Sequence, residues 1–445
     1  MPDPPVACPW PGTAEVVDGR LRRIGGADLA DLAARHGTPL YVVDEAELVA
    51  RMRAYRQAFG PDVRIVYAAK ALAVTAVLQI AVREGLDVDV ASEGELATAL
   101  RGGVAGERIV LHGNNKSAAE LALALGADVN RIAVDNDAEL DRLVPLAAGR
   151  PAPVDVWLRI TPGVGAGGHA FIRTGQDDVK FGFHLSAGAA DAATDRVVAE
   201  PTLRLRGLHC HIGSQVTDGR AYAAAVEGMV GLLARVRDRH GLVLDELNLG
   251  GGLGIVYAAG EVVPDVDAYA QDLRANVTAA CARHELPVPR LVVEPGRSIV
   301  GPAGITLYTV GAVKDVPGVR AFAAVDGGMS DNLRPALYGA VYTFAAAGHG
   351  APVTRTRPFA VVGKHCESGD VLGTDVSLPA DLGPGQLVAV AATGAYGDAM
   401  ASNYNRLARP AMVLVRDGRD QVIVRRETVE DVLARDVPLA RGGVR

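Results

Sequence analysis

Lys70 closes an apolar run, Val63–Ala69, and its amine is the side-chain group that condenses with carbonyls. Taken alone, a strand-end lysine is most often a snorkelling residue with its head in water. The neighbouring runs change that reading. They end in Asp89 and Ser92, in His112-Gly113-Asn114-Asn115, in His209-Cys210-His211-Ile212-Gly213-Ser214, in Gly250-Gly251-Gly252-Leu253-Gly254 and in Glu294-Pro295-Gly296-Arg297. Packing gives no reason for polar groups at one end of so many strands.

Each cluster suits a definite chemistry. A glycine-rich loop after a strand lets backbone N–H groups approach a phosphate. Gly250–Gly254 lacks the Gly-Lys-Ser/Thr of a Walker loop and lies too late for a dinucleotide fingerprint. His209 and His211 are two apart on a strand, so both face the same way. No third ligand follows at zinc spacing, so no metal is expected. A flat imidazole there packs on a planar cofactor or sits hydrogen-bonded in the core. Glu294 and Arg297 flank a Pro-Gly turn. They are either a surface ion pair, or a carboxylate that keeps a ring nitrogen protonated beside a guanidinium that binds a carboxylate.

Such groups need strands to hold them. Apolar runs at Val63–Ala69, Val88–Ala91, Arg108–His112, Arg131–Asp135, Val154–Ile160, Leu205–His211, Glu246–Leu249 and Leu291–Val293 read as parallel strands buried on both faces. Helical spacing fills Ala76–Glu84, Glu93–Leu100, Ala118–Leu125, Ala138–Leu146, Ala221–His240 and Ala268–His284. A Gly-rich loop, Pro162–Gly182, weakens the pattern between the fifth and sixth runs. Eight β/α repeats predict an α/β fold with a closed (β/α)8 TIM-type barrel, an open doubly wound sheet being the alternative. After residue 300, runs at Ile305–Val313, Ala321–Val325, Leu387–Ala391 and Ala411–Val415 predict a mainly β C-terminal domain completed by N-terminal residues. The expected division is 36–300 for the barrel, with 1–35 and 301–445 for the β-rich part.

The chain has 445 residues and a net charge of −7, which offers no basic footprint for nucleic acid. Cys8, Cys210, Cys281 and Cys366 are scattered without a C-x-x-C pair, as in a reducing cytoplasm. The Pro-rich start is not a signal peptide, and no apolar stretch predicts a membrane span.

Further motifs extend the pattern: Asp326-Gly327-Gly328-Met329-Ser330-Asp331, Arg334-Pro335-Ala336-Leu337-Tyr338, Cys366-Glu367-Ser368-Gly369-Asp370 and Gly394-Ala395-Tyr396. In order and spacing, with Tyr67-Ala68-Ala69-Lys70-Ala71 and the clusters above, they resemble the alanine-racemase-like barrel class of pyridoxal-phosphate (PLP) enzymes. More narrowly, they are similar to the diaminopimelate decarboxylase family over roughly residues 35 to 430.

The resemblance implies roles. Lys70 would carry PLP as a Schiff base, with Asp89 nearby and His211 stacked on the ring. Ser214, Gly251, Gly252 and the Glu294–Arg297 turn, including Gly296, would hold the phosphate, and Glu294 would pair with the ring nitrogen. Arg297, Arg334, Tyr338, Glu367 and Tyr396 would bind substrate, Tyr396 also reaching the cofactor. Cys366 would donate the proton. The Cys366–Glu367 segment would enter a partner's barrel, making a homodimer with shared sites.

The implied activity is decarboxylation of meso-2,6-diaminopimelate to L-lysine, since two arginines and an acid suit a distal end bearing both carboxylate and ammonium. Alternatives are a related decarboxylase for another carboxylated diamino acid, a racemase, or a silent PLP-binding homologue. Lys70 and Cys366 argue against the last, and no second base identifies a racemase. One departure is that Tyr404-Asn405 is followed by Arg406-Leu407-Ala408-Arg409-Pro410, where the family often has Arg-Pro-Arg-Pro. Borohydride trapping of the PLP-loaded protein, followed by peptide mapping, is expected to label Lys70. A label elsewhere refutes the assignment.

Overall fold

The computed structural model describes residues 8–164, 179–186, 188–217, 219–258, 260–263 and 265–439. Most of the Pro162–Gly182 loop, from 165 to 178, lies outside the described residues, as does the start of the N-terminal segment. The chain forms two compact units. One comprises Glu47–Pro302 with Cys8; the other comprises Pro9–Ala46 and the chain from Ala303 on.

The first unit is a closed parallel barrel. Its strands are β1 (Arg64–Ala68), β2 (Asp87–Val90), β3 (Ile109–Leu111), β4 (Arg131–Val134), β5 (Val154–Thr161), β6 (Leu203–His209), β7 (Glu246–Asn248) and β8 (Arg290–Val293). Each pairs in parallel with the next, and β8 returns to β1 through Val292 opposite Arg64. Val66, Val110, Trp157 and Val292 form one buried cluster. Since β1, β3 and β5 are not neighbours, they meet across the interior, and the barrel is packed rather than hollow.

Helices Thr75–Arg83, Glu93–Arg101, Ala118–Gly126, Asp137–Ala147, Ala189–Ala199, Arg220–His240 and Val266–Arg283 connect the strands. Several start on side-chain caps: Ser92, Ser117 with Glu120, Asn136 and Asp265. Each cap satisfies a backbone N–H that the first turn leaves unpaired. Ala189–Ala199 is a connecting helix that the sequence did not announce. Its buried positions are Ala190, Ala193, Thr194 and Val197, too small and mixed to mark an apolar stripe.

In the second unit, Gly304–Val316 is the organising strand. It runs antiparallel to Arg320–Val325, to Leu387–Val390 and to Leu40–Asp44. Ala411–Arg416 lies parallel to Leu40–Asp44 on its other side. That strand is wholly buried and belongs to the sheet, so this unit takes in the chain to Ala46, where the expected division lay between 35 and 36. Leu21, Ile24, Leu29, Leu32, Leu40, Val42, Ile305, Leu307 and Val413 pack into one core, which is how the N-terminal segment completes the unit. Among the described residues, no helix is long and apolar enough to cross a membrane.

One end of the barrel is built for stability. Arg131 binds Glu246 through two bonds, 2.9 and 2.7 Å, and Trp157 Nε1 donates to the same carboxylate at 2.7 Å. All three residues are buried. Glu246 lies in β7 opposite Gly207, where a Cβ would stand 2.1 Å from the Glu246 carbonyl. Removing Glu246 takes from the buried Arg131 its two-bond partner and leaves it the Asp155 pair at 3.1 Å. Glu246→Ala is therefore expected to cost about 3–5 kcal/mol, seen as a lower midpoint in chemical denaturation; an unchanged midpoint would refute this.

Candidate active site

The other end of the barrel gathers the reactive groups. Lys70 lies in the single turn Ala69–Ala71 that follows β1, and its side chain is exposed. The Ala68 N–H donates to the Pro295 carbonyl at 3.1 Å, tying the end of β1 to the turn after β8. The positive charge of Lys70 acts on Asp89, Glu95 and His211. Burial pushes the Asp89 carboxyl up to about 6, with Glu294 adding to the rise and His112 and Lys70 opposing it.

Glu294 is the buried hub. Its Oε1 accepts from His112 Nε2 at 2.8 Å and from Asn248 Nδ2 at 2.6 Å; its Oε2 accepts from His209 Nε2 at 3.2 Å. Burial alone would raise this carboxyl, but the two histidines hold it well below the usual range. Burial also pushes His209 down to about 3, so its imidazole is neutral. A neutral Nε2–H still donates. The Glu294 anion therefore rests on directed hydrogen bonds from β6, β7 and the end of β3 rather than on an imidazolium at His209.

The ligand-capable atoms of His112, His209 and Glu294 lie within 4.8 Å of one another. His211, the other histidine of the strand pair, is not among them; direct hydrogen bonds join the nitrogens of His112 and His209 to the carboxylate.

The glycine loop is fixed to this hub. Asn248 Oδ1 accepts the Gly250 N–H at 2.8 Å, and the Gly250 carbonyl accepts the Glu294 N–H at 2.7 Å. Gly250 (φ 65°) and Gly252 (φ 116°) occupy backbone conformations that glycine tolerates. A Cβ on Gly251 would stand 2.1 Å from the Glu294 carbonyl, and one on Gly252 would stand 2.5 Å from the Gly213 carbonyl. Gly296 is nearly as confined, 3.0 Å from Ala68. Tyr222 Oη holds the Gly251 carbonyl at 3.1 Å.

His211 Nδ1 accepts the Gly251 N–H at 3.3 Å, which assigns the proton to Nε2. Burial, with Lys70 adding to it, pushes this imidazole well below its ordinary value, so it is neutral. The buried Arg297 brackets Ser214 Oγ with Nε at 3.2 Å and NH2 at 2.8 Å, and its NH1 bonds Tyr257 Oη. A glycine loop, a buried guanidinium on a hydroxyl, a neutral ring and a buried anion thus stand with an amine at one end of the barrel. This set fits a phosphorylated aromatic aldehyde whose ring carries a basic nitrogen.

The structure brings Lys70, Asp89, His211, Ser214, Gly251, Gly252, Glu294, Gly296 and Arg297 to the C-terminal ends of the barrel strands. The sequence reading gave no role to His112, Asn248, Tyr222, Tyr257, Glu95 or Arg159, the last of whose charge acts on His209 and His211. His112 stood among the strand-end groups, and Asn248 is a lone amide in the apolar run Leu247–Leu249. The other four had no local signal.

The remaining predicted residues lie in the second unit. Arg334 is buried at the start of helix Arg334–Tyr338 and donates to Tyr342 Oη at 2.5 Å. Tyr338, at the other end of the helix, is half-buried, as is Tyr396 (φ 59°). Cys366 and Glu367 are exposed on the loop between strands Thr356–Val362 and Val371–Pro379.

Residues 45–301 match the family model described as "Pyridoxal-dependent decarboxylase, pyridoxal binding domain". The chain belongs to this family of pyridoxal-dependent decarboxylases. Its curated relatives include the diaminopimelate decarboxylase of Actinosynnema pretiosum subsp. auranticum, 48% identical over 96% of this chain and 95% of the relative. That of Bacillus subtilis is 45% identical over 94% and 96%. Among solved structures, diaminopimelate decarboxylase from M. jannaschii in complex with L-lysine superimposes with a TM-score of 0.89 at 32% identity, covering 96% of this chain and 98% of that one.

Gly251→Ala tests the cradle. Its Cβ must displace the Glu294 backbone or the loop, so PLP affinity is expected to fall by at least about tenfold, one step of about 1.4 kcal/mol. Absorbance titration with PLP reads this directly, and unchanged affinity would refute the cradle assignment.

Proposed function

We infer that this chain removes one carboxylate from meso-2,6-diaminopimelate, giving L-lysine and carbon dioxide with PLP as cofactor. The observation that carries the reading is the buried Glu294 anion, hydrogen-bonded on both oxygens and joined through Asn248 to the glycine loop. End-to-end likeness to diaminopimelate decarboxylases selects the substrate.

PLP, when bound, supplies the electron sink that makes loss of carbon dioxide from Cα feasible. The protein's share is placement and charge. Lys70 would hold the cofactor through its amine. Glu294, kept anionic, holds a proton at the ring nitrogen. His211 presents a neutral face to the ring. Ser214, Arg297 and the Gly251 and Gly252 backbone hold the phosphate, which limits the ring's freedom to tilt. Cys366 delivers a proton to Cα. Arg334, Tyr338, Glu367 and Tyr396 recognise the distal carboxylate and ammonium. A substrate without the distal carboxylate forgoes a charge-assisted pair with an arginine, the stronger kind of hydrogen bond.

Cys366 and Glu367 are exposed, although the loop beneath them is bonded internally. That suits delivery to a second subunit, so the proposed active unit is a homodimer with shared sites. The four free cysteines agree with a reducing compartment.

Purified protein supplied with PLP and meso-diaminopimelate is expected to release carbon dioxide and lysine in equal amounts, and to turn over L-ornithine and L-arginine far more slowly. Turnover of another diamino acid with no lysine formed would overturn the substrate assignment.

A further inference from the structure

The Tyr404-Asn405 pair has no place in the chemistry derived so far. Its backbone is unusual. Asn405 has φ 52° and Arg406 has φ 60°, two successive non-glycine residues in the left-handed region. Such conformations persist where the surroundings determine them.

What surrounds this turn is the Cys366 loop. Asn405 Oδ1 accepts the Cys366 N–H at 2.8 Å across 39 residues of sequence. The Tyr404 ring stacks on His365, with centroids 5.5 Å apart and planes 8° from parallel. On the turn's other side, Asn403 Nδ2 donates to the Leu407 carbonyl at 2.9 Å and to Glu427 at 2.5 Å.

The residues flanking Cys366 are held from below. His365 is buried, and its Nδ1 and backbone N–H both donate to Asp370, at 2.6 and 3.0 Å. The Met329 N–H donates to the same carboxylate at 2.6 Å. A Cβ on Gly363 would stand 2.1 Å from it, and one on Gly328 would stand 2.5 Å away. Glu367 Oε1 accepts the Gly369 N–H at 3.0 Å, closing the loop. Both ends of the segment are therefore fixed on buried groups, while the Cys366 and Glu367 side chains stay exposed. Between those ends, the Cys366 N–H is held by Asn405.

We propose that Asn405 is a positioning residue for the reaction: by binding the Cys366 N–H it sets the direction in which the thiol is presented before substrate arrives. The proposal rests on the reading of Cys366 as the proton donor. A proton donor must meet the reacting carbon within hydrogen-bond reach and in line. An exposed loop segment left free would sample many directions, and ordering it would fall on each turnover. The left-handed backbone of Asn405 turns its amide toward Cys366, which explains an asparagine here, since it tolerates this region better than other non-glycine residues.

The test is a double-mutant cycle on the PLP-loaded enzyme. Asn405→Gly keeps the left-handed backbone and deletes the amide. Its kcat on meso-diaminopimelate is expected to fall by about 10²-fold, the scale of an ångström-level misplacement, with KM moving by less than about threefold and the cofactor absorbance unchanged. Asn405→Asp keeps an acceptor oxygen at the same reach and is expected to recover most of that loss. In a Cys366→Ala background, Asn405→Gly is expected to change kcat by less than about twofold, because two residues acting through one step are not additive. Should the glycine variant fail to fold, Asn405→Ser, whose oxygen is too short to reach Cys366, takes its place. Equal losses in both backgrounds, or full kcat in Asn405→Gly, would overturn the proposal. A fully active Cys366→Ala would instead overturn Cys366 as the proton donor, so the two failures are distinguishable.

Discussion

A buried carboxylate stays ionised only if its surroundings replace the water it has lost, and Glu294 imposes that demand on the whole barrel. An uncompensated buried charge costs several kcal/mol. Hydrogen bonds to a charged group return about 1.5–3 kcal/mol each, so the three that Glu294 receives are of the size required. They come from His112 after β3, His209 at the end of β6 and Asn248 at the end of β7. Only a closed barrel brings those strand ends around β8. Register therefore becomes chemistry: a shift of one residue in β6 or β7 would turn its donor to the other face of the sheet.

Asn248 carries the constraint onward. One face of its amide holds Glu294 and the other holds the Gly250 N–H. The buried carboxylate and the glycine loop are thus joined by one side chain. The opposite barrel end shows the contrast. There Arg131, Trp157 and Glu246 are buried and bonded to one another, with Arg131 also bonded to Asp155. The second unit repeats the device on a smaller scale. Asp370 gathers the N–H groups of His365 and Met329 and fixes the loop from which Cys366 and Glu367 project.

Much of this is legible in the sequence alone. The eight barrel runs stood out because parallel strands buried on both faces must be continuously apolar. Lys70, Glu294 and the glycine loop stood out because polar groups are anomalous at the ends of such runs. Other elements were silent for definite reasons. Ala189–Ala199 packs with alanines and a threonine, leaving no stripe to detect. Leu40–Asp44 lies far from its sheet partners in sequence, so its membership in the second unit was not visible. His112 was visible as a strand-end residue, but its attachment to Glu294 spans 182 residues.

The sequence by itself determined the barrel and pointed to Lys70 as the amine, the glycine loop as the phosphate site and Cys366 as the acid, because each is written in local composition or in the order of motifs. Tertiary structure alone decided which donors make Glu294 an anion, that Asn248 links it to the loop, and that Asn405 holds Cys366. Those are pairings between residues distant in sequence. They depend on how strands close and in what register, and spacing along a chain carries no record of that.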